Sequence, residues 1–355
     1  MRVYLDHNAT TPLRAEARAA MIAAMDVVGN PSSVHSEGRA AKMLVERARA
    51  QVAQLVRCKT TQVIFTSSAT EAAALGVAQK GRHGGVFGAL ATEHDCLGVW
   101  GEVGIDLAAG DVAGAGLVAI SAANSETGIL GDAGRVIGST AQYSTLCDIT
   151  QLAGKMPVRY QAETPSYAIL SAHKMGGPKG VGALINFTAE DPEPILRGGG
   201  QEMNRRSGTE NIIGIAGFGA AAEAAGRDVD AGRWEAVAAL RNNLEQAIAA
   251  ASEQTIFVGK DLPRLPNTTC MLTPGWKGET QVMQMDLAGF AVSAGSACSS
   301  GKVKASKVLQ AMGYNDTDAA SAIRVSLGLE TTQEDVQRFA KAWAMKFEKH
   351  QMRAA

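Results

Sequence analysis

Apolar positions follow two rhythms along the chain. Short unbroken apolar runs occur at Val63–Thr66, Gly116–Ser121, Ser144–Ile149, Tyr167–Ser171 and Val181–Phe187. Runs of this length predict strands buried on both faces. Around them, apolar residues recur at helical spacing. In Gly38–Arg57, the residues Val45, Ala48, Val52, Leu55 and Val56 fall on one face, and in Arg233–Ala251 so do Trp234, Val237, Leu244, Ile248 and Ala251. Strands alternating with helices predict an α/β domain with a mainly parallel sheet. After Gly259 the rhythm changes. Pro263, Pro266 and Pro274 punctuate short runs at Thr268–Leu272, Phe290–Ala294 and Ile323–Leu327. Thr332 followed by Asp335 reads as a capping box, and Val336, Phe339, Trp343 and Phe347 form the stripe of a closing helix. This second region predicts a smaller α+β domain.

Composition narrows the function classes. The chain has 355 residues, long enough for about two domains. Its 34 Lys+Arg against 35 Asp+Glu exclude a strongly basic nucleic-acid binder as the default and leave no polybasic membrane patch. No apolar stretch reaches the roughly 18 residues of a membrane span. The opening MRVYLDHNATTP has no basic stretch leading into an apolar one, so no signal peptide is expected. Five scattered cysteines (Cys58, Cys96, Cys147, Cys270, Cys298) form no C-x-x-C pair. A reducing, cytoplasmic setting fits them better than a disulfide framework or structural zinc. The six histidines show no zinc-hydrolase spacing, so no metal is expected.

Four segments carry candidate chemistry. In SAHKMGGPKGVGAL, an apolar strand runs into His173 and Lys174. A lysine there sits at the ligand-facing edge of an α/β sheet, where desolvation makes its amine usable for a Schiff base. The same pattern fits a lysine that merely ends a strand in solvent. In VIFTSSATEAAALGVA, small and hydroxylated residues open a helix near Thr70, as a phosphate cradle or as an ordinary N-cap. In YSTLCDITQLAGK, Asp148 ends a strand, with Gln151 three residues on. That carboxylate suits either a protonated ring nitrogen or a helix N-cap. In AVSAGSACSSGK, Cys298 lies in a Gly/Ser-rich loop near Lys302 and Lys304, a context favouring exposure and a thiolate. The other four cysteines read better as small hydrophobes. GFGAAA matches a dinucleotide fingerprint in form, but its setting in an alanine-rich stretch reads as helix packing.

Taken together, these segments resemble the cysteine desulfurases, pyridoxal-phosphate enzymes of the class V aminotransferase group. The resemblance runs from YLDHNATTP to SAIRVSLGLETTQEDV and includes NPSSVHSEG, FTSSATEA, TEHDC, ANSETG, DITQLAGK, SAHKMGGPKGVGAL, GGGQEMNRRSGT and SAGSACSSGK. The long form of the cysteine loop is similar to the NifS and IscS branch. The resemblance implies the type I fold of such enzymes, a large domain with a mainly parallel sheet of seven-stranded type flanked by helices, plus a smaller α+β domain. The expected domains are residues 15–259, and residues 1–14 with 260–355.

It also implies roles. Lys174 would hold pyridoxal 5'-phosphate and move protons at the substrate Cα. Asp148 would pair with the ring nitrogen, His94 would stack on the ring and act in proton transfer, and Gln151 would bond its phenolic oxygen. Ala69, Thr70, Ser171 and His173 would hold the phosphate. Thr209 would reach the phosphate of a neighbouring subunit, implying a homodimer. Arg324 would bind the carboxylate of L-cysteine with Asn8, and Asn124 would help at the cofactor. Cys298 would take the sulfur as a persulfide for an acceptor protein.

The chain departs from the family pattern at Ser68 (glycine in SGATE), at Ser125 (asparagine in NNETG), at Ile149, and in a short stretch between His94 and Asn124. These departures keep two alternatives open. One is another reaction of the same group, such as an aminotransferase or selenocysteine lyase. The other is a catalytically silent sulfur-transfer partner.

Overall fold

In the computed structural model, residues 2–106, 112–131, 143–160, 164–295 and 305–354 are described. Their strands are β1 (Val3–Tyr4), β2 (Val63–Thr66), β3 (Phe87–Ala89), β4 (Val103–Gly104), β5 (Leu117–Ser121), β6 (Ser144–Asp148), β7 (Tyr167–Ser171), β8 (Gly182–Asn186), β9 (Ile256–Phe257), β10 (Thr268–Leu272), β11 (Phe290–Ala291), β12 (Ser293–Ala294) and β13 (Ala322–Ser326). Contacts divide the chain into two units. One comprises Thr10–Ala122 with Gly131–Ala231, the other Met1–Ala9, Ala123–Leu130 and Gly232–Ala355.

In the larger unit, seven strands form one sheet in the order β2-β8-β7-β6-β5-β3-β4. All neighbours are parallel except β8, which runs antiparallel to both β7 and β2. The continuous apolar runs are explained by burial on both faces. Leu146, Tyr167, Ile169 and Leu184 enter one core with Leu75, Phe87 and Leu117. The alternate residues Cys147, Ala168, Leu170, Ala183 and Ile185 enter another with Val45, Val52 and Phe218. The helices Ala15–Met25 and Ser36–Val56 both pack on Ile212–Asp230. Gly217, Phe218 and Gly219 lie on the buried side of that last helix, so GFGAAA serves helix packing.

The smaller unit holds a four-stranded sheet, β12-β13-β10-β9, and a parallel pair, β1-β11. Its core includes Leu5, Met271, Trp276, Ile323, Val325, Phe339 and Trp343. The closing helix, Gln333–Ala354, has the reciprocal cap read from sequence: Thr332 N donates to Asp335 Oδ2 at 3.1 Å and Asp335 N to Thr332 Oγ1 at 3.1 Å. The helix Arg233–Ala251 spans the predicted residues, but Val237, Leu244 and Ile248 join this core. Contacts group residues 232–259 with the smaller unit. Among the described residues no helix is long and apolar enough to cross a membrane.

Candidate functional site

Because β8 reverses direction twice, β2 runs parallel to β7, and the carboxyl ends of β2, β3, β5, β6 and β7 share one edge of the sheet. Ligands of open α/β sheets bind at such an edge. The register places Thr66, Gly182 and Ser171 side by side, with Asp148 ending β6 opposite Ile169. Ala69, Thr70, His94, Asp148, Gln151, Ser171, His173 and Lys174 all follow or end strands here.

The helix Ala69–Val77 opens the edge beside β2. Ser68, extended at φ −172°, caps it: Ser68 Oγ accepts from Glu71 N at 3.2 Å and Ser68 O from Ala72 N. The serine that departs from the family's glycine is thus a conventional N-cap. The N–H groups of Ala69 and Thr70 have no acceptor among the described residues, so the helix end presents two donors and its positive pole. Gly182 is forced by closeness: a Cβ there would lie 2.5 Å from Ser68 C and 2.7 Å from Ala69 N. Glu71 joins this helix to a downstream loop, accepting from Ser67 N at 2.8 Å and from Arg206 Nε at 2.8 Å. In that loop Glu202, Met203 and Asn204 have φ of 48°, 59° and 67°, a left-handed run unusual for non-glycine residues. The buried Glu202 carboxylate holds it, accepting from Arg49 at 2.7 and 2.8 Å and from Phe65 N at 2.9 Å. Thr209 lies exposed beyond it.

At β6, Asp148 Oδ1 accepts from Thr150 N at 2.8 Å. Its neighbour is Glu93, a residue not singled out from sequence. Glu93 accepts from Ser121 N at 2.8 Å and Ser121 Oγ at 2.5 Å. Burial pushes the Glu93 carboxyl up to about 7 against the Ser121 bonds, and the charge of Asp148 adds to the rise. His94 caps the short helix Asp95–Gly98, its Nδ1 accepting from Cys96 N at 3.1 Å, so the neutral ring carries its proton on Nε2. The turn after Asp148 brings Gln151 and a second unforeseen residue, Lys155, together. Both are buried, and Lys155 Nζ donates to Gln151 Oε1 at 2.8 Å and Gln151 O at 3.2 Å.

After β7 the turn Ala172–Lys174 is strapped by the N-terminal segment of this unit. Thr11 N donates to His173 O and Thr11 Oγ1 to Lys174 O, both at 2.9 Å. His173 Nδ1 lies 3.1 Å from Thr10 Oγ1. Burial, with the charges of Lys174 and Lys179, pushes His173 down to about 4, so it is neutral at physiological pH. Ser171 is buried, its Oγ 3.4 Å from Val181 O.

The smaller unit gathers Asn8, Asn124 and Arg324. Arg324 sits mid-sheet on β13 between Ser293 and Cys270. Its Nη2 donates to Asp6 Oδ1 at 2.9 Å and its Nη1 to Ser125 O at 3.0 Å, while its buried Nε has no partner among the described residues. Asn8 is 1% exposed. Its Nδ2 donates to Thr268 Oγ1 at 2.9 Å and Ser125 O at 3.3 Å, and its Oδ1 accepts from Asn267 at 3.1 Å. Asn8 therefore fixes the carbonyl that Arg324 uses, with both ends of its amide already engaged. Asn124 Oδ1 accepts from Glu126 N and Thr127 N, both at 2.9 Å, so it shapes its own turn.

The cysteines separate clearly. Cys96, Cys147 and Cys270 are buried and Cys58 half-buried. Burial raises every one of these thiols, Cys58 and Cys270 to about 12. Neutral thiols of this kind are poor nucleophiles. Cys298 lies outside the described residues.

Glu93, Lys155 and Glu202 were all visible in sequence as charged residues inside motif strings (TEH, QLAGK, GGGQEMNRRSGT). Their partners Ser121 and Arg49 are distant in sequence, and those partners give the first and last their meaning.

The model of the class-V aminotransferase family matches residues 3–104 and 111–339. The break falls in the stretch that the sequence reads as shortened. A cysteine desulfurase of Frankia sp. is 37% identical, over 95% of this chain and 89% of its own length. One from Cereibacter sphaeroides is 38% identical, over 95% and 93%. Among solved structures, a NifS-like protein from Rickettsia africae superposes with a TM-score of 0.87 at 31% identity, covering 98% of this chain and 100% of its own.

Proposed function

The chain belongs to the cysteine desulfurases of the class-V aminotransferase family, and from that premise we propose that it removes sulfur from L-cysteine, releasing L-alanine and carrying the sulfur as a persulfide on Cys298. The family depends on pyridoxal 5'-phosphate. The carrying observation is the set of groups along one sheet edge: two helix N–H groups at Ala69 and Thr70 with no acceptor among the described residues, a carboxylate at Asp148, and an amine at Lys174. These fit, in turn, a phosphate, a protonated ring nitrogen and an aldehyde carbon.

When bound, pyridoxal phosphate withdraws electrons from the amino acid, acidifying its Cα and weakening its C–S bond. The chain's residues supply the rest. Ala69 and Thr70 hold the phosphate by main-chain N–H groups, helped by Ser171 and the neutral His173. Asp148 keeps the ring nitrogen protonated. His94 would contact the cofactor ring, with its Nε2 proton available. Lys174 Nζ holds the cofactor at rest and takes the proton from the substrate Cα. Arg324, fixed by Asp6 and Ser125 O, takes the substrate carboxylate, with Asn8 and Asn124 shaping its surroundings. The Cys298 thiolate attacks the substrate sulfur. An S–S bond forms as the C–S bond breaks, the carbon gains the electron pair and a proton, and no outside oxidant is needed.

Thr209 serves the phosphate of a second copy, making the enzyme a homodimer, and an acceptor protein collects the sulfur. The test is turnover of L-cysteine. Wild type should be yellow and release alanine, Lys174→Ala should lose the colour, and Cys298→Ala should bind cofactor but release no sulfide under reductant. A wild type that takes up no cofactor refutes this reading.

A further inference from the structure

We propose that Lys155 is a positioning residue: its buried ammonium fixes the Gln151 amide so that the NH2 group, and not the carbonyl oxygen, is presented to the cofactor's ring oxygen. This inference rests on the cofactor reading above.

Donor and acceptor inventory fixes the orientation of the amide. An ammonium has three donors and no acceptor. Lys155 Nζ lies 2.8 Å from one end of the Gln151 amide, so that end must be the oxygen. The glutamine then has only N–H donors left for other partners. A donor selects an acceptor, so the site recognises a ring oxygen as a phenolate and disfavours a phenol O–H.

The arrangement is built into the turn. Lys155 Nζ also reaches back to Gln151 O at 3.2 Å, spanning four residues. Leu152 O accepts from Lys155 N at 3.0 Å and Ile149 O from Ala153 N at 2.8 Å, closing the turn. Gly154 allows it: its φ is +79°, and a Cβ would lie 2.9 Å from the Ala225 Cβ and 3.1 Å from the Met175 Cβ. With Lys155 3% exposed and Gln151 4% exposed, solvent does not compete for either group. The resemblance to the desulfurases implies a bond between Gln151 and the ring oxygen and leaves its polarity open. Lys155 decides it.

The experiment follows the visible absorption of the cofactor-loaded protein against pH. Four proteins are compared: wild type, Lys155→Met, Gln151→Leu and the double variant. A donor to the ring oxygen favours its anionic form, so losing it should raise the midpoint of the titration by about one pH unit. Lys155→Met should give that shift alone and give none when Gln151 is already leucine. The other titratable groups of this edge (Asp148, Glu93, His94, His173 and Lys174) are the same in all four. A pure charge effect of the lysine predicts equal shifts in both backgrounds and overturns the proposal, as does no shift in either. Gln151→Glu guards against misfolding of Lys155→Met, because it leaves the lysine a partner while removing the donor. Its midpoint should also rise, and an unchanged midpoint overturns the proposal. A wild type with no visible band overturns both this inference and the cofactor reading, whereas a normal wild-type band with equal or absent shifts overturns this inference alone.

Discussion

Gly182→Ala tests the phosphate cradle with one methyl group. The added Cβ would meet Ser68 C at 2.5 Å, Ala69 N at 2.7 Å and Leu170 O at 2.9 Å. Comfortable separations begin near ~3.5 Å, so the contact is about 1 Å too close. All three neighbours are main-chain atoms, and no rotamer change relieves them. The β8 backbone and the start of the helix Ala69–Val77 must part. Overpacking of this kind costs ~1–3 kcal/mol of stability. Moving the Ala69 and Thr70 N–H groups also weakens bonds to a charged phosphate, worth ~1.5–3 kcal/mol each. Losing one predicts a rise of about 10- to 100-fold in the cofactor Kd. The assay titrates cofactor-free protein with pyridoxal phosphate by absorbance, with urea unfolding measured in parallel. Gly180→Ala is the control. Gly180 has φ +80° with nothing within 4 Å, so alanine there strains the backbone without touching the cradle. It should lower stability and leave the Kd unchanged. A folded Gly182→Ala protein with wild-type Kd would refute the cradle assignment.

Three further outcomes follow from the same geometry. Glu93 stands at about 7 in the folded chain against its ordinary 4.5, so folding retains a proton that the unfolded chain releases. Its contribution is fully present below the ordinary value and lost as pH rises through about 7, on the order of 3 kcal/mol; urea unfolding of Glu93→Gln should show a flatter loss across that window, and an equal slope would contradict the assignment. Glu202→Ala removes the buried bidentate partner of Arg49, leaving it only the more exposed Glu46 carboxylate and Val63 O, and releases the left-handed run Glu202–Asn204, so unfolding free energy should fall by ~3 kcal/mol, a loss below ~1 kcal/mol being inconsistent with it. Brief alkylation of folded protein near neutral pH, mapped by peptide mass, should label Cys298 well before the buried Cys96, Cys147 and Cys270, and rapid labelling of Cys147 would count against the buried-thiol argument.

Much of this was legible in the sequence because burial writes itself as continuous apolar runs. Val63–Thr66, Tyr167–Ser171 and Thr268–Leu272 form strands over the predicted residues. Strand direction has no such signature. Val181–Phe187 reads as one more apolar run, and its antiparallel placement came only from the sheet itself. The helix Arg233–Ala251 was predicted by period, but an apolar stripe does not say which core receives it. Type and order mark the motif residues as candidates in the sequence. What holds such residues has no sequence signature, since Glu93 needs Ser121 from β5, Glu202 needs Arg49 from the helix Ser36–Val56, and Arg324 needs Asp6 and the carbonyl of Ser125. The departure at Ser68 proved a helix cap, and the motif asparagine Asn124 proved a turn former.

The most direct measurement follows the sulfur of L-cysteine through one turnover. The protein is incubated with radiolabelled L-cysteine and no reductant, then digested and mapped. The account predicts label on the Cys298 peptide, removable by dithiothreitol, with an equal amount of alanine, and neither product from Lys174→Ala. Label on another cysteine, or alanine and free sulfide from Cys298→Ala at the wild-type rate, would contradict it.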